Sequence, residues 1–186
     1  MRFPPLSPRD VRWAPVVGMG LEHLSLSATP SGVVARSAVI GERKAASFGA
    51  FYEIHLSAGW QVERFRIETA GGARLSLSQD GPGRWTADDG TNRADLDGCI
   101  DIDLAGTPFT NTLPIRRLDG QLTTPTELRM LYVPFDTFEP LVDAQRYTEL
   151  SPHLYRYEAM DGTFAADLPV DEDGLVIDYP TLFRRV

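Results

Sequence analysis

The stretch that decides the fold runs from Asp97 to Leu118 and reads DGCIDIDLAGTPFTNTLPIRRL. After the turn pair Asp97-Gly98, two sets of residues alternate: Ile100, Ile102 and Leu104, and Cys99, Asp101 and Asp103. Alternation with period two predicts a strand with one apolar face and one face that carries carboxylates. A polar loop and the adjacent Arg116 and Arg117 follow. The sequence therefore predicts a charged cluster that either lines a binding site or only pairs internally.

Short alternating segments continue on both sides of this stretch. About ten occur, including Val33–Ile40, Leu128–Val133 and Leu154–Ala159, and the dipeptide Asp-Gly occurs six times between them. Asp-Gly favours the tight turns of hairpins. This pattern indicates an antiparallel all-β protein with hairpin connections, and so many strands in one domain must close into a barrel, split into a sandwich or curl into one sheet. Fourteen prolines and sixteen glycines leave few helical windows. The two windows predicted to be helical are Thr107–Leu113, as a single turn, and Phe138–Ala144.

The chain is 186 residues long, which favours one domain spanning 1–186. Its net charge of −8 arises in segment 119–179, which has 13 acidic and 3 basic residues. Such a surface repels nucleic acid, so no nucleic-acid partner is expected. Neither an apolar secretory signal at the N-terminus nor an apolar run long enough to span a membrane is visible, and we expect a cytoplasmic protein. Cys99 is the single cysteine, so an internal disulfide is excluded.

Several segments resemble one protein family. They are the run Asp97–Leu118, Gly20-Leu21-Glu22, Ala58-Gly59-Trp60, Gln145–Thr148 and Val170–Pro180. Together they are similar to the bacterial family described as "putative glycolipid-binding", a domain of unknown function, and the resemblance covers nearly the whole chain from Trp13 onward. It implies one large, strongly curved antiparallel sheet with a few short helical turns, a spiral β-roll distantly like the half-open barrel of lipoprotein localisation factors. The concave apolar side of such a sheet is where a lipid tail would lie.

The candidate ligand-binding residues are Asp101, Asp103, Asn111, Arg116 and Arg117. Carboxylates, an amide and guanidinium groups can hydrogen-bond the polar head of an amphipathic ligand. The leading function is therefore non-enzymatic binding of a lipid-like molecule, such as a glycolipid. The simpler interpretation is that the aspartates pair with the two arginines and that Asn111 stabilises a tight loop.

Two further functions remain open. Asp101 and Asp103 are about 7 Å apart along a strand, within the range for paired carboxylates in glycoside hydrolysis, so a hydrolase of a sugar-bearing substrate is possible. A structural or interaction protein that pairs through exposed strand edges is the third class. No cofactor is expected and no oligomeric state is implied. Three scattered histidines and one cysteine provide no zinc-binding spacing, and Asp171-Glu172-Asp173-Gly174 is interpreted as a turn rather than a calcium loop.

Overall fold

The computed structural model describes residues 3–43 and 46–186, with Arg43 described only for its backbone. The strands of the large sheet are β1 Arg9–Pro15, β2 Leu21–Thr29, β3 Gly32–Arg43, β4 Ala46–Ser57, β5 Val62–Thr69, β6 Arg74–Gly81, β7 Arg84–Ala87, β13 Asp178–Tyr179 and β14 Phe183–Arg185. Those of the small sheet are β8 Asp101–Leu104, β9 Thr126–Val133, β10 Leu141–Ser151, β11 Leu154–Ala159 and β12 Ala165–Pro169. One α-helix, α1 Thr112–Arg117, and two 3₁₀ turns, Ala94–Leu96 and Phe109–Asn111, complete the elements in this part of the chain.

The large sheet has the strand order β13-β14-β1-β2-β3-β4-β5-β6-β7, and the small sheet has the order β12-β11-β10-β9-β8. The fold-class prediction is confirmed, with the strands divided between a large antiparallel sheet and a strongly curled half-barrel sheet. Glycine in five of the six Asp-Gly pairs has positive φ: Gly90, Gly98, Gly120, Gly162 and Gly174. Local turn chemistry and alternation therefore determine most of the hairpins.

Pairing in the small sheet overrides one helix prediction. The window Phe138–Ala144 is not helical, because its second half belongs to β10 and pairs with β9 from Leu141 opposite Tyr132 onward. The predicted single turn at Thr107–Leu113 agrees better with the structure, because the 3₁₀ turn Phe109–Asn111 lies within this window and leads directly into α1. Tertiary pairing decides such windows because intrinsic helix propensity differs by less than about 1 kcal/mol between ordinary residues.

The stretch Asp97–Leu118 packs against one face of the large sheet. Ile102, Leu104 and Phe109 are fully buried in the same apolar cluster as inward-facing residues of the large sheet, such as Leu24 and Ile54. The chain itself thus occupies part of the apolar side of the sheet, where the family resemblance places a lipid tail. Such close packing is the ordinary state of a protein interior.

Strand β8 is the exception to the antiparallel pattern, because it pairs with β9 in parallel register. A parallel pair requires a crossover connection, and the segment that contains α1 provides it. The predicted alternation in β8 holds, but both of its faces are covered: Asp101 is 1% exposed and Ile102 is 0% exposed. The carboxylate of Asp101 therefore needs a partner within the protein.

Candidate ligand-binding site

Arg117 is the partner of Asp101. Its Nε lies 2.9 Å from Asp101 Oδ1, and its Nη2 lies 2.6 Å from Oδ2, which is a bidentate geometry. Burial raises the pKa of Asp101, and the hydrogen bonds and charge of Arg117 oppose that shift. The ion pair joins β8 to the last turn of α1, so its first consequence is structural.

Arg116 points to a different place. Its guanidinium carbon lies 4.2 Å from the ring centroid of Trp60, and its Nη1 and Nη2 donate to the carbonyl oxygens of Asp173 and Pro4, each at 2.7 Å. Burial is the largest influence on its pKa and lowers it. Arg116 and Arg117 border a pocket of about 390 Å³ beside Trp60, which we call the guanidinium pocket. This pocket lacks Asp101, Asp103 and Asn111, so the five predicted residues do not converge on one cavity.

Asp103 and Asn111 border a second opening, the polar pocket, of about 430 Å³. Asp103 Oδ1 accepts a hydrogen bond from Thr110 Oγ1 at 3.1 Å, and its Oδ2 accepts one from Gln145 Nε2 at 2.7 Å. Asn111 Oδ1 accepts a hydrogen bond from the hydroxyl of Tyr147 at 2.9 Å. These contacts fix the directions of both side chains before any ligand arrives.

The polar pocket is rich in groups that hydrogen-bond hydroxyls. Besides Asp103 and Asn111, it is bordered by Tyr132, Asp143, Tyr157, Asp161 and Tyr179. Burial, followed by the charge of Asp103, raises the pKa of both Tyr157 and Tyr179. Both phenols therefore keep their protons at neutral pH and can donate. Carboxylate acceptors, phenol donors and aromatic faces are the groups suited to a sugar.

A third opening, the apolar pocket, has a volume of about 350 Å³ and lies beside the polar pocket. Its wall includes Trp13, Leu21, Val39, Phe48 and Phe135. The two pockets share Ala105, Leu182 and Phe183 in their walls. A molecule with an apolar part and a polar part can therefore extend from one pocket into the other, and each volume is in the range of small-molecule sites.

Glu22 is the one residue of β2 in the apolar pocket wall with an ionisable side chain. It is 2% exposed, and its Oε1 accepts hydrogen bonds from Tyr52 at 2.5 Å and Ser37 at 2.8 Å. Its Oε2 is buried without a hydrogen-bond partner among the described residues. Burial raises the pKa of Glu22 to about 7, and the hydroxyls of Thr107, Tyr52 and Ser37 oppose that rise. Near neutral pH this carboxyl is present in both protonation states.

Exposed apolar side chains surround the mouth of the apolar pocket. Val17 is 80% exposed, Ile40 61% and Leu182 40%, and all three border the pocket. Exposed apolar residues that cluster around a cavity mark a contact site more often than residues scattered singly do.

Comparison with known proteins agrees with the sequence resemblance. Residues 10–185 match the family described as "Putative glycolipid-binding". The chain belongs to this family. It is also similar to a crystal structure of a DUF1089 family protein from Pseudomonas aeruginosa, with 38% sequence identity, a TM-score of 0.78, and coverage of 89% of this chain and 92% of that one. No curated protein matches the sequence.

The sequence prediction for this family member missed Glu22 as a site residue. Its signal was present, because Glu22 lies on the same strand face as Leu24 and Leu26 and so places a carboxyl on an apolar face. The walls that surround it come from β1, β3, β4 and the loop after β8, which one strand cannot reveal.

Other chemistry considered from the sequence finds less support. Burial raises the pKa of the Cys99 thiol to about 11, so this cysteine is not an activated nucleophile. Among residues 3–43 and 46–186, the side chains of His, Cys, Asp and Glu form no group of three or more suited to a metal ion. In the acidic turn, Asp171 Oδ1 accepts the backbone N–H groups of Asp173 and Leu175, at 3.0 and 2.9 Å. In the same described part of the chain, no helix has the length and apolar character needed to cross a bilayer.

Proposed function

We propose that this protein binds an amphipathic ligand, with its apolar chain in the apolar pocket and its hydroxyl-bearing head in the polar pocket. The observation that carries the proposal is the shared wall of the two pockets at Ala105, Leu182 and Phe183. An apolar cavity next to a cavity of carboxylates and phenols matches the two halves of a glycolipid. The family description points to the same class of ligand.

In this proposal, burial of the ligand's apolar chain contributes most of the binding free energy. Burial of apolar surface contributes about 25 cal/mol per Å², and the aromatic side chains of Trp13, Phe48 and Phe135 provide a wall that excludes water. Phe135 stacks on Phe138 at 5.7 Å and meets Phe48 edge-on at 5.2 Å, so the wall is held in shape. A preformed pocket reduces the entropic cost of binding.

The polar pocket makes the protein specific for the head group of the ligand. Asp103 and Asn111 are the two predicted ligand-binding residues that border it, and both are oriented by other side chains. Assignment of Asp101, Arg116 and Arg117 to the same ligand stays a prediction, since the guanidinium pocket borders neither Asp103 nor Asn111. In this proposal Asp101 and Arg117 act indirectly by holding β8 against α1.

The test is a titration of the purified protein with dodecyl maltoside, kept below its critical micelle concentration, followed by isothermal calorimetry. We expect saturable binding by the wild-type protein. Ala105→Trp would fill the junction of the two pockets and weaken binding at least tenfold. The matched control is Ala94→Trp at an exposed 3₁₀ turn, which should bind like the wild type.

A second arm examines the head group. Asp103→Asn should weaken binding of dodecyl maltoside by at least about tenfold, the affinity carried by one charge-assisted hydrogen bond, whereas Asp80→Asn on β6 should not. Mass spectrometry of an organic extract would identify a ligand that copurifies. If the detergent does not bind and no lipid copurifies, the proposal fails and a structural or interaction role takes its place. Turnover of a glycoside abolished by Asp103→Asn would instead favour the hydrolase.

A further inference from the structure

Glu22 Oε2 is a buried polar atom with no hydrogen-bond partner among residues 3–43 and 46–186, although the hydroxyl of Thr107 lies near the carboxyl group, beside that of Tyr52. Such atoms are rare in folded proteins, because leaving a buried acceptor or donor unpaired costs about as much as the desolvation of that group. Oε1 of the same carboxyl is fully engaged by Tyr52 and Ser37, which approach from β4 and β3. The open volume that Glu22 borders is the apolar pocket, so the missing partner of Oε2 can be supplied from there.

The position of Glu22 relative to the two pockets indicates which chemical group of a ligand could be the partner of Oε2. The hydroxyl of Tyr52, which donates to Glu22, lies 3.5 Å from the hydroxyl of Thr107, and Thr107 borders the polar pocket. The adjacent residue Gly106 borders the apolar pocket. Glu22 therefore lies near the junction of the two pockets, where the head of an amphipathic ligand would join its apolar chain.

We infer that Glu22 is a specificity-determining residue that recognises the carbonyl oxygen of an ester or amide joining an acyl chain to a polar head. This inference rests on the proposed function and names the ligand as an acylated amphiphile rather than an alkyl ether. With Oε1 accepting two hydroxyl groups, the proton of the neutral acid resides on Oε2, which then donates to the ligand carbonyl. A carbonyl oxygen is an acceptor only, so it suits the protonated carboxyl and not the carboxylate.

This arrangement makes recognition depend on pH. The titratable and polar groups that face Glu22 are Tyr52 from β4, Ser37 from β3 and Thr107 from the loop after β8, while Glu42 is the second carboxyl of the described pocket wall. Burial raises the pKa of Tyr52 well above its usual value, so Tyr52 remains a donor. Raising the pH from 6 to 8.5 therefore removes the Oε2 proton. Two acceptors, the carboxylate oxygen of Glu22 and the carbonyl oxygen of the ligand, then face each other.

The experiment compares two probes that differ at the linkage: octanoyl glucose, which has an ester carbonyl, and octyl glucoside, whose glycosidic oxygen has no carbonyl and which serves as the ether-type probe. Affinities are measured by calorimetry at pH 6 and pH 8.5. For the wild-type protein we expect the ester to bind roughly five- to tenfold more tightly than the ether at pH 6, as one added hydrogen bond allows, and this preference to be lost at pH 8.5.

Two variants separate recognition from folding. Glu22→Gln retains a neutral donor, so its preference for the ester should persist at both pH values, whereas Glu22→Leu should show no preference at either. Glu42→Gln removes the other carboxyl of the wall, and the pH response should survive it. Equal binding of ester and ether by the wild type at pH 6 overturns this inference but leaves the proposed function intact. Binding of neither probe overturns the proposed function itself.

Discussion

At the scale of single residues, the decisive feature is how each buried charge is compensated. Asp101 is paired with Arg117 in a bidentate contact, and Arg116 lies over Trp60. Glu22 has hydroxyl partners but no cationic partner within the described part of the chain, and burial raises its pKa from 4.5 to about 7. The charged form of Glu22 is therefore unfavourable in the folded state relative to the unfolded state.

The free energy of unfolding should record this cost. Between pH 4.5 and 7 the folded protein retains a proton on Glu22 that the unfolded chain releases, so the contribution of Glu22 to stability decreases as the pH rises and is constant above pH 7. The loss is about 3 kcal/mol for a shift of this size. Urea denaturation of the wild type and Glu22→Gln at pH 4.5 and 8 isolates this loss of stability, because the variant lacks the ionisable carboxyl group. An equal pH dependence in the two proteins would show that Glu22 titrates normally.

At the scale of elements, the central stretch connects the two sheets through close contacts. Gly106 follows β8, and a Cβ atom at this position would collide with the ring of Phe135, which follows β9. Phe135 cannot easily give way, because its ring is stacked on Phe138 and packed edge-on by Phe48. The absence of a side chain at Gly106 thus allows the aromatic wall of the apolar pocket to form.

Gly106→Ala should destabilise the protein by about 1–3 kcal/mol, the usual cost of overpacking a filled interior. Binding of dodecyl maltoside should weaken at the same time, because the displaced ring would enter the apolar pocket. Urea denaturation and calorimetry measure the two effects. Gly59→Ala is the control, since the nearest atom to its added Cβ would be Ser57 Oγ at 3.8 Å. An unchanged stability of Gly106→Ala would mean that the ring adjusts freely.

At the scale of the whole molecule, the chain ends hold the two sheets together. Strand β14 lies between β13 and β1, and the turn after β12 of the small sheet leads back towards β13. Arg185 on β14 donates to Asp171 Oδ2 at 2.6 Å and to the carbonyl oxygens of Leu175 and Val176 at 2.8 and 2.7 Å. One side chain therefore ties the last strand to the segment that connects the sheets.

Arg185→Ala should lower the free energy of unfolding by about 2–4 kcal/mol, because it leaves Asp171 and two carbonyl groups without this donor. The adjacent and exposed Arg184 provides the control variant, Arg184→Ala, which should change stability by less than about 0.5 kcal/mol. Thermal unfolding followed by near- and far-ultraviolet circular dichroism would measure both. If the two variants unfold alike, Arg185 does not couple the sheets.

The sequence by itself determined the all-β class, most hairpin turns and the alternation of β8, because period-two patterning and Asp-Gly turns act locally. It also contained the chemistry of the Asp101–Arg117 pair, although not the burial of the Asp101 carboxylate. The helix prediction at Phe138–Ala144 was wrong because pairing with β9 competes with local propensity. Only the tertiary structure decided that Asp103 borders the polar pocket, that Arg116 borders the guanidinium pocket, and that Glu22 borders the apolar pocket. Cavities are formed by residues distant in sequence, and their positions depend on how separate elements pack.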